Sequence, residues 1–106
     1  MSLKDIQKDV DEWTGQFDPQ YWPPHEILAR LTEEVGELAR EVNHLYGTKK
    51  KKISEHEGSL SQEIVDIIFT VACLANSHKI DLQKEWEQMM SKKHYGRDQN
   101  RYTKKD

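Results

Sequence analysis

Residues 64–75 read Ile-Val-Asp-Ile-Ile-Phe-Thr-Val-Ala-Cys-Leu-Ala, which is apolar on nearly every side of a helix. Because such a helix is covered by neighbours on most sides, it is predicted to be the central element of an all-α fold. At about 100° per residue, Glu63, Asp66, Thr70 and Ser77 form its one polar stripe. Carboxylates are rarely buried unless they are paired or metal-bound. The segment therefore brings two acidic groups into a mostly apolar region that must compensate them.

Two helices are predicted before this segment. The first carries an apolar stripe spaced three and four residues apart, with Ser2 and Asp5 as a capping-box-like start. Residues 15–24 then form an irregular aromatic linker, and Pro24 suits the first turn of a second helix. That helix ends at Gly47 and has a longer apolar seam. The first stripe is Leu3, Ile6, Val10 and Trp13, and the seam is Ile27, Leu31, Val35, Leu38, Val42 and Leu45.

The rest of the chain predicts a polar loop, the central helix and one further helix. The loop includes the lysine run at 49–52, for which a solvated loop and closure over phosphates are both open interpretations. Ser59 and Gln62 resemble a capping box for the central helix, which should continue to about His78. A fourth helix opens at Asp81 and ends near Gly96. Residues 1–97 are thus predicted to form one domain, and residues 98–106 a polar, mobile tail.

Composition limits the classes of function. A chain of 106 residues with 35% apolar and 33% charged residues has a small core, which favours self-association. The net charge of −3 argues against general nucleic-acid binding. A single cysteine, Cys73, excludes an intramolecular disulfide, and no apolar run reaches the roughly 20 residues that span a bilayer. The polar N-terminus is unlike a signal peptide, so we expect a cytoplasmic protein without a membrane partner.

The second helix supplies a matching set of carboxylates. Glu34, Glu37 and Glu41 are three or four residues apart and share one face. If the second and third helices pack as an antiparallel pair, Glu34 and Glu37 face Glu63 and Asp66. Four such carboxylates repel one another unless a hard cation lies between them. Oxygen ligands favour Mg²⁺ or Mn²⁺, and Mg²⁺ commonly shares its coordination with phosphates, which points to phosphoryl chemistry.

These residues resemble a known family. The sequence Glu33-Glu-Val-Gly-Glu37, followed after a loop by Glu63-Ile-Val-Asp66, is similar to the EExxE…ExxD motif of the MazG-like nucleotide pyrophosphohydrolases. The resemblance covers roughly residues 20–97. It implies a four-helix, bundle-like MazG fold completed by oligomerisation as a homodimer or homotetramer. It also implies a Mg²⁺-dependent enzyme that cleaves a nucleoside triphosphate to the monophosphate and pyrophosphate.

The resemblance also implies roles for individual residues. The metal ligands would be Glu34, Glu37, Glu63 and Asp66, with Mg²⁺ as the cofactor and Mn²⁺ as a substitute. Either Glu33 or Glu37 would accept a proton from the attacking water. A solvated acidic face with helical ion pairs, such as Arg30 with Glu34, is the competing interpretation.

Four residues are predicted to bind substrate. Trp22, beside two prolines, is the candidate for stacking on the base, whereas Trp13 is expected to be part of the core. Lys93 and Arg97 fall where the family carries basic residues for phosphate, although they equally suit a helix C-terminus. Asn76 matches a nucleotide-contacting position, and a role in capping or turn formation is equally consistent.

Three alternatives stay open at this point. The first is a general nucleoside triphosphate pyrophosphohydrolase. The second is a narrower enzyme of the same superfamily, either a phosphoribosyl-ATP pyrophosphatase or a deoxynucleotide-specific enzyme. A third possibility is a non-enzymatic, metal-binding helical oligomerisation module. Product analysis separates the enzymes, and the absence of any pyrophosphate release would favour the module.

Overall fold

The chain folds as a succession of helices in a computed structural model that describes residues 1–48 and 59–106. They are α1 (Leu3–Thr14), α2 (Pro24–Tyr46), α3 (Leu60–Ser77) and α4 (Leu82–Gln88), and α4 continues directly into a π-helical segment, Met89–Arg97. The described part of the chain contains no strand, so the predicted all-α class is confirmed. The lysine run at 49–52, for which closure over phosphates was considered, lies outside the described residues.

The residues that begin and end the helices act as predicted. Ser2 and Asp5 form a reciprocal capping box at the start of α1. Pro24 occupies the first turn of α2, where its missing N–H leaves no bond unmade, and Gly47 follows the last turn. At the start of α3 the Ser59 side chain accepts a hydrogen bond from the Gln62 backbone N–H, which is one half of the predicted capping box; the described residues do not show the reciprocal bond from the Gln62 side chain. These local interactions begin and end α2 and begin α3 at the residues that the sequence predicts.

The face that α2 turns to α3 differs from the predicted apolar seam. The two helices pack along their lengths, and the buried residues of α2 are Ile27, Glu34 and Glu41. Val35 and Val42, which the seam included, are exposed. The helix is therefore rotated about its axis so that carboxylates rather than valines lie against α3. This rotation is what brings acidic groups of α2 to the acidic end of α3.

The fourth helix is longer than its α-helical part. Asp81 caps α4 by accepting a hydrogen bond from the Lys84 backbone N–H. In the segment after Gln88 the characteristic hydrogen bond runs from a backbone N–H to the carbonyl five residues earlier instead of four. The 2.9 Å bond from the Asp98 N–H to the Lys93 carbonyl is an example. Helical structure thus reaches Arg97, one residue beyond the predicted end, but as a π-helix. The side chains of this segment consequently point in directions that an α-helical projection does not give.

Within one chain, α3 is only partly covered. It packs against α2 and α1, yet apolar side chains along it such as Ile64, Val65, Ile68 and Val71 stay substantially exposed. The expectation that this helix is covered on most sides is therefore wrong for an isolated chain. By length and composition alone α3 resembles a membrane-spanning helix, as the core helix of a soluble protein also does. In the structure α3 begins with an acidic turn and packs against α1 and α2.

Candidate active site

Three of the predicted carboxylates converge where α2 packs on α3. Glu34, Glu63 and Asp66 each offer an oxygen atom, and these oxygens lie within 4.8 Å of one another. Glu34 comes from the middle of α2 and is 6% exposed. Glu63 and Asp66 lie one helical turn apart near the start of α3, so both side chains project from one face. We refer to these three residues as the carboxylate cluster.

The cluster concentrates negative charge. The pKa of Glu63 is raised above its ordinary value of 4.5. Partial removal from water is the main cause, and repulsion from Asp66, Glu34, Glu37 and Glu41 adds to it. A bound cation would reverse both effects, because it stabilises the ionised carboxylates. The cluster therefore carries mutually repelling negative charge that a cation could compensate.

The donor set fits a hard divalent cation. All the converging atoms are carboxylate oxygens, which suit Mg²⁺ or Mn²⁺ and not zinc or copper. Glu37, the fourth predicted ligand, is exposed on α2 and does not join the three-residue cluster, although its charge acts on Glu63. Glu33 is also exposed and outside the cluster. The structure thus brings three of the four predicted ligands together, and leaves both predicted proton acceptors at the solvent-facing side of α2.

A cavity of about 430 Å³ opens beside the cluster. Glu34 and Asp66 belong to its wall, so the cavity and the cluster are continuous. Its other lining residues come from α1, the linker, α2 and α3, and most of them are aromatic or apolar. They are Trp13, Thr14, Phe17, Pro19, Gln20, Tyr21, Trp22, Ile27, Arg30, Phe69, Thr70 and Cys73. A cavity of this size with an apolar wall and a few polar groups is typical of a small-molecule site.

The aromatic wall explains the position of two tryptophans. The Trp13 ring contacts Phe17 and Phe69, with ring centroids 5.0 Å and 5.9 Å apart and both pairs inclined. Trp13 is nevertheless 55% exposed, so its predicted place in the core is wrong. It is a cavity residue instead. Trp22, predicted to stack on the base, lines the same cavity.

Asn76 lies outside the cavity, in a hydrogen-bond network that joins α1 to α3. Its amide N–H groups donate to the Gln7 carbonyl and to the Tyr21 hydroxyl, both at 3.0 Å. Its carbonyl oxygen accepts a 2.8 Å bond from Gln7 Nε2. Tyr21 in turn donates to Asp11. The three interactions occupy both donors and the acceptor of the amide, which places Asn76 in the framework behind the aromatic wall.

Replacing Asn76 by alanine is therefore expected to destabilise the fold by about 1–3 kcal/mol, because the partially buried partner groups lose their bonds. Urea unfolding measures this, with Asn43→Ala on the exposed face of α2 as the control and little change expected there. The Michaelis constant for nucleotide should stay close to that of the unmodified protein well below the melting temperature. A raised Michaelis constant without destabilisation would instead support the predicted substrate contact.

The predicted phosphate-binding residues are not brought to the cavity within one chain. Lys93 and Arg97 are exposed on the π-helical segment, and neither belongs to the cavity wall. Arg97 Nε lies 3.0 Å from Asp98 Oδ1, and this pairing raises the pKa of Arg97 and lowers that of Asp98. Arg97 thus has an intramolecular partner of opposite charge. The role of Lys93 and Arg97 in phosphate binding stays a prediction.

Phe69 and Arg30 are two of the cavity residues that the sequence interpretation did not place at the site. Phe69 follows Asp66 by three residues on α3, so the helical period alone predicts that it lies beside the cluster. Arg30 was considered only as the partner of Glu34 in a helical ion pair, and that pair is present at 2.8 Å. Its second feature, a place in the cavity wall, depends on the packing of the linker and has no signal in the sequence.

Fold and site together define a class: an all-α protein in which acidic groups of two packed helices border an aromatic cavity. The family description "MazG nucleotide pyrophosphohydrolase domain" matches residues 23–102. The chain belongs to the MazG nucleotide pyrophosphohydrolase family. It is accordingly a hydrolase that acts on phosphoric anhydrides.

Known relatives agree with this assignment. The chain is 49% identical over 105 residues to the protein YpjD of Bacillus subtilis, covering 99% of this chain and 94% of YpjD. The crystal structure of YpjD superposes with a TM-score of 0.77 over 88% of this chain and 95% of the other. A Bacillus-conserved MazG protein, described as a nucleotide pyrophosphohydrolase, is 46% identical with a TM-score of 0.74 over 87% of this chain and 88% of that one.

Proposed function

We propose that this pyrophosphohydrolase cleaves nucleoside triphosphates between the α- and β-phosphates, and that it requires Mg²⁺. The proposal is carried by one observation: three carboxylates converge at the edge of a cavity with an aromatic wall. A cluster of acidic groups alone would repel the phosphates of a nucleotide. An oxygen-only site that attracts a divalent cation, placed beside flat apolar surfaces, suits a ligand with a phosphate chain and a base.

Each part of the site has a proposed role. Glu34, Glu63 and Asp66 would hold Mg²⁺, and Glu37 lies near enough for its charge to act on the same site. The chemistry that Mg²⁺ would supply at these residues is neutralisation of phosphate charge and a lower pKa of water at the site. A glutamate, Glu33 or Glu37, accepts the proton of the attacking water. The water oxygen bonds to one of the two phosphorus atoms joined by the α–β bridging oxygen, and the bond from that phosphorus to the bridging oxygen breaks. The products are therefore a nucleoside monophosphate and pyrophosphate.

Trp22 is the proposed stacking residue for the base. It is 53% exposed, lines the cavity and immediately precedes Pro23 and the first turn of α2. The two prolines restrict the backbone there, so the ring is presented at low entropic cost. Stacking uses the π-face that every base has, and it therefore binds the base without reading its edge.

The products identify the reaction. Incubation with each common nucleoside triphosphate and Mg²⁺ is expected to release pyrophosphate and the monophosphate in equal amounts, and chelation of the metal should abolish the release. Orthophosphate as the sole direct product would contradict cleavage between the α- and β-phosphates. Including deoxynucleotides and phosphoribosyl-ATP in the panel separates the general enzyme from the two narrower relatives.

Trp22→Ala is expected to raise the Michaelis constant about tenfold while changing turnover little, since stacking stabilises ground and transition states alike. Steady-state kinetics on the best substrate of the panel measures both values. Trp86→Ala is the matched control, because Trp86 is 52% exposed on α4 and lies outside the cavity. Equal effects of the two substitutions would show that Trp22 acts through general stability and not through the base.

The proposed active form is a homodimer or homotetramer. The chain exposes 8726 Å² of surface, whereas a compact monomer of 12.5 kDa exposes about 6,200 Å². Its radius of gyration is 17.4 Å, against about 13 Å for a compact domain of this length. The excess surface includes apolar stripes on α2 and α3, among them Val35, Val42, Ile64 and Ile68. A second copy of the chain would cover these stripes.

A further inference from the structure

Arg30 is the one cationic residue among the described residues that line the cavity. It lies on α2 one turn before Glu34, and its Nε is 2.8 Å from Glu34 Oε1. The two partners differ in their surroundings, because the side chain of Arg30 is 54% exposed whereas that of Glu34 is 8% exposed. The guanidinium therefore lies at the border between the carboxylate cluster and the open cavity.

The geometry leaves most of the guanidinium available for a ligand. An arginine has five N–H donors in a planar fork. Only Nε is paired with Glu34, and the structure shows no partner for the two terminal nitrogens among residues 1–48 and 59–106. The Arg30 side chain is 54% exposed, so its terminal nitrogens stay in contact with water and are accessible to a ligand in the cavity.

We propose that Arg30 binds the phosphate chain of the substrate, which deepens the proposed function and depends on it. In the protein without ligand, Arg30 neutralises part of the charge of Glu34. When the divalent cation and the phosphates bind, the Glu34 oxygen turns to the cation and the Arg30 fork pairs with phosphate oxygens. Arginine suits this role because its parallel N–H groups match the spacing of two phosphate oxygens.

This exchange predicts opposite effects on two ligands. Arg30→Ala should weaken binding of inorganic triphosphate in the presence of Mg²⁺ by roughly 10- to 100-fold, through the loss of charge-assisted hydrogen bonds. The same substitution should tighten binding of Mn²⁺ or Mg²⁺ alone by roughly three- to tenfold, since a positive charge leaves the cluster. Arg30→Lys retains the charge but not the planar fork. Its affinity for inorganic triphosphate should therefore lie between those of the unmodified protein and Arg30→Ala.

Isothermal titration calorimetry measures both affinities, and inorganic triphosphate separates the phosphate contact from stacking on the base. Arg40→Ala is the control, because Arg40 is an exposed arginine on the same helix about 15 Å further along its axis. If Arg30→Ala weakened the binding of both inorganic triphosphate and the divalent cation, Arg30 would act only by orienting Glu34, and the proposal would be overturned. Unchanged binding of both would overturn it as well. An unmodified protein that binds neither ligand would contradict the proposed function itself.

Discussion

Glu63→Gln and Asp66→Asn are each expected to reduce nucleotide hydrolysis by at least about a hundredfold, because each removes a charged ligand from the proposed cation site. The helix should be unaffected, since both amides keep the size of the original side chain and Glu63 and Asp66 are not buried in the core. Hydrolysis is measured as pyrophosphate release at saturating Mg²⁺, and divalent cation affinity is measured separately by titration. Both values should fall together.

Glu63→Gln should also alter the pH dependence of stability in metal-free buffer. The pKa of Glu63 is raised in the folded chain. A raised pKa means that folding favours the protonated form, so this contribution to stability is complete below pH 4.5, the ordinary pKa, and is lost as the pH rises through the folded-state pKa. Glutamine cannot ionise. The advantage of the variant in melting temperature should therefore grow with rising pH and then level off.

Two results would contradict the site assignment. One is full hydrolytic activity in either variant. The other is a loss of stability in metal-free buffer at neutral pH, which would mean that the carboxylates form favourable contacts instead of repelling one another. Glu12→Gln, an exposed substitution on α1 outside the cluster and the cavity, is the control for the loss of one negative charge.

The carboxylate cluster could be predicted because its signal is local. Glu63 and Asp66 lie three residues apart at the start of an apolar helix, so their shared face follows from the helical period. The place of Asn76 could not be predicted in the same way. Its partners Gln7 and Tyr21 are 69 and 55 residues away along the chain. Whether the Asn76 amide contacts substrate or other side chains of the protein depends on these distant partners, and their positions follow only from the packed structure.

The order and limits of the helices were predictable for a similar reason, since Ser2, Pro24 and Ser59 act within one turn of their own helix. The face of α2 that packs against α3 could not be predicted. Its sequence carries more apolar positions than one neighbouring helix can cover, and periodicity cannot tell which stripe faces α3. The structure assigns Ile27 to the interior of the chain and leaves Val35 and Val42 exposed. The exposed valines are among the apolar residues that the proposed second copy of the chain would cover.

An exposed apolar stripe on α3 leads to the prediction with the other large effect. Ile64, Ile68 and Val71 are spaced four and three residues apart along α3 and stay exposed in the single chain. Ile68→Glu would place a charge in the proposed interface between copies. Removal of an unpaired charge from water costs several kcal/mol, and a symmetric dimer contains the substitution twice. We therefore expect the variant to be monomeric at micromolar concentration, as measured by sedimentation velocity and by light scattering after gel filtration.

The same substitution should leave the isolated chain folded, because position 68 is 43% exposed within it and the glutamate meets water there. Circular dichroism should accordingly retain its helical signal, while the melting temperature falls and no longer depends on protein concentration. Ile68→Leu preserves the apolar volume and should remain oligomeric. Tyr102→Glu adds the same charge at an exposed position outside α2 and α3 and should also remain oligomeric. If the unmodified protein and Ile68→Glu sediment alike as oligomers, the exposed stripe on α3 is not the interface between copies. If both sediment as monomers, the proposed assembly is wrong.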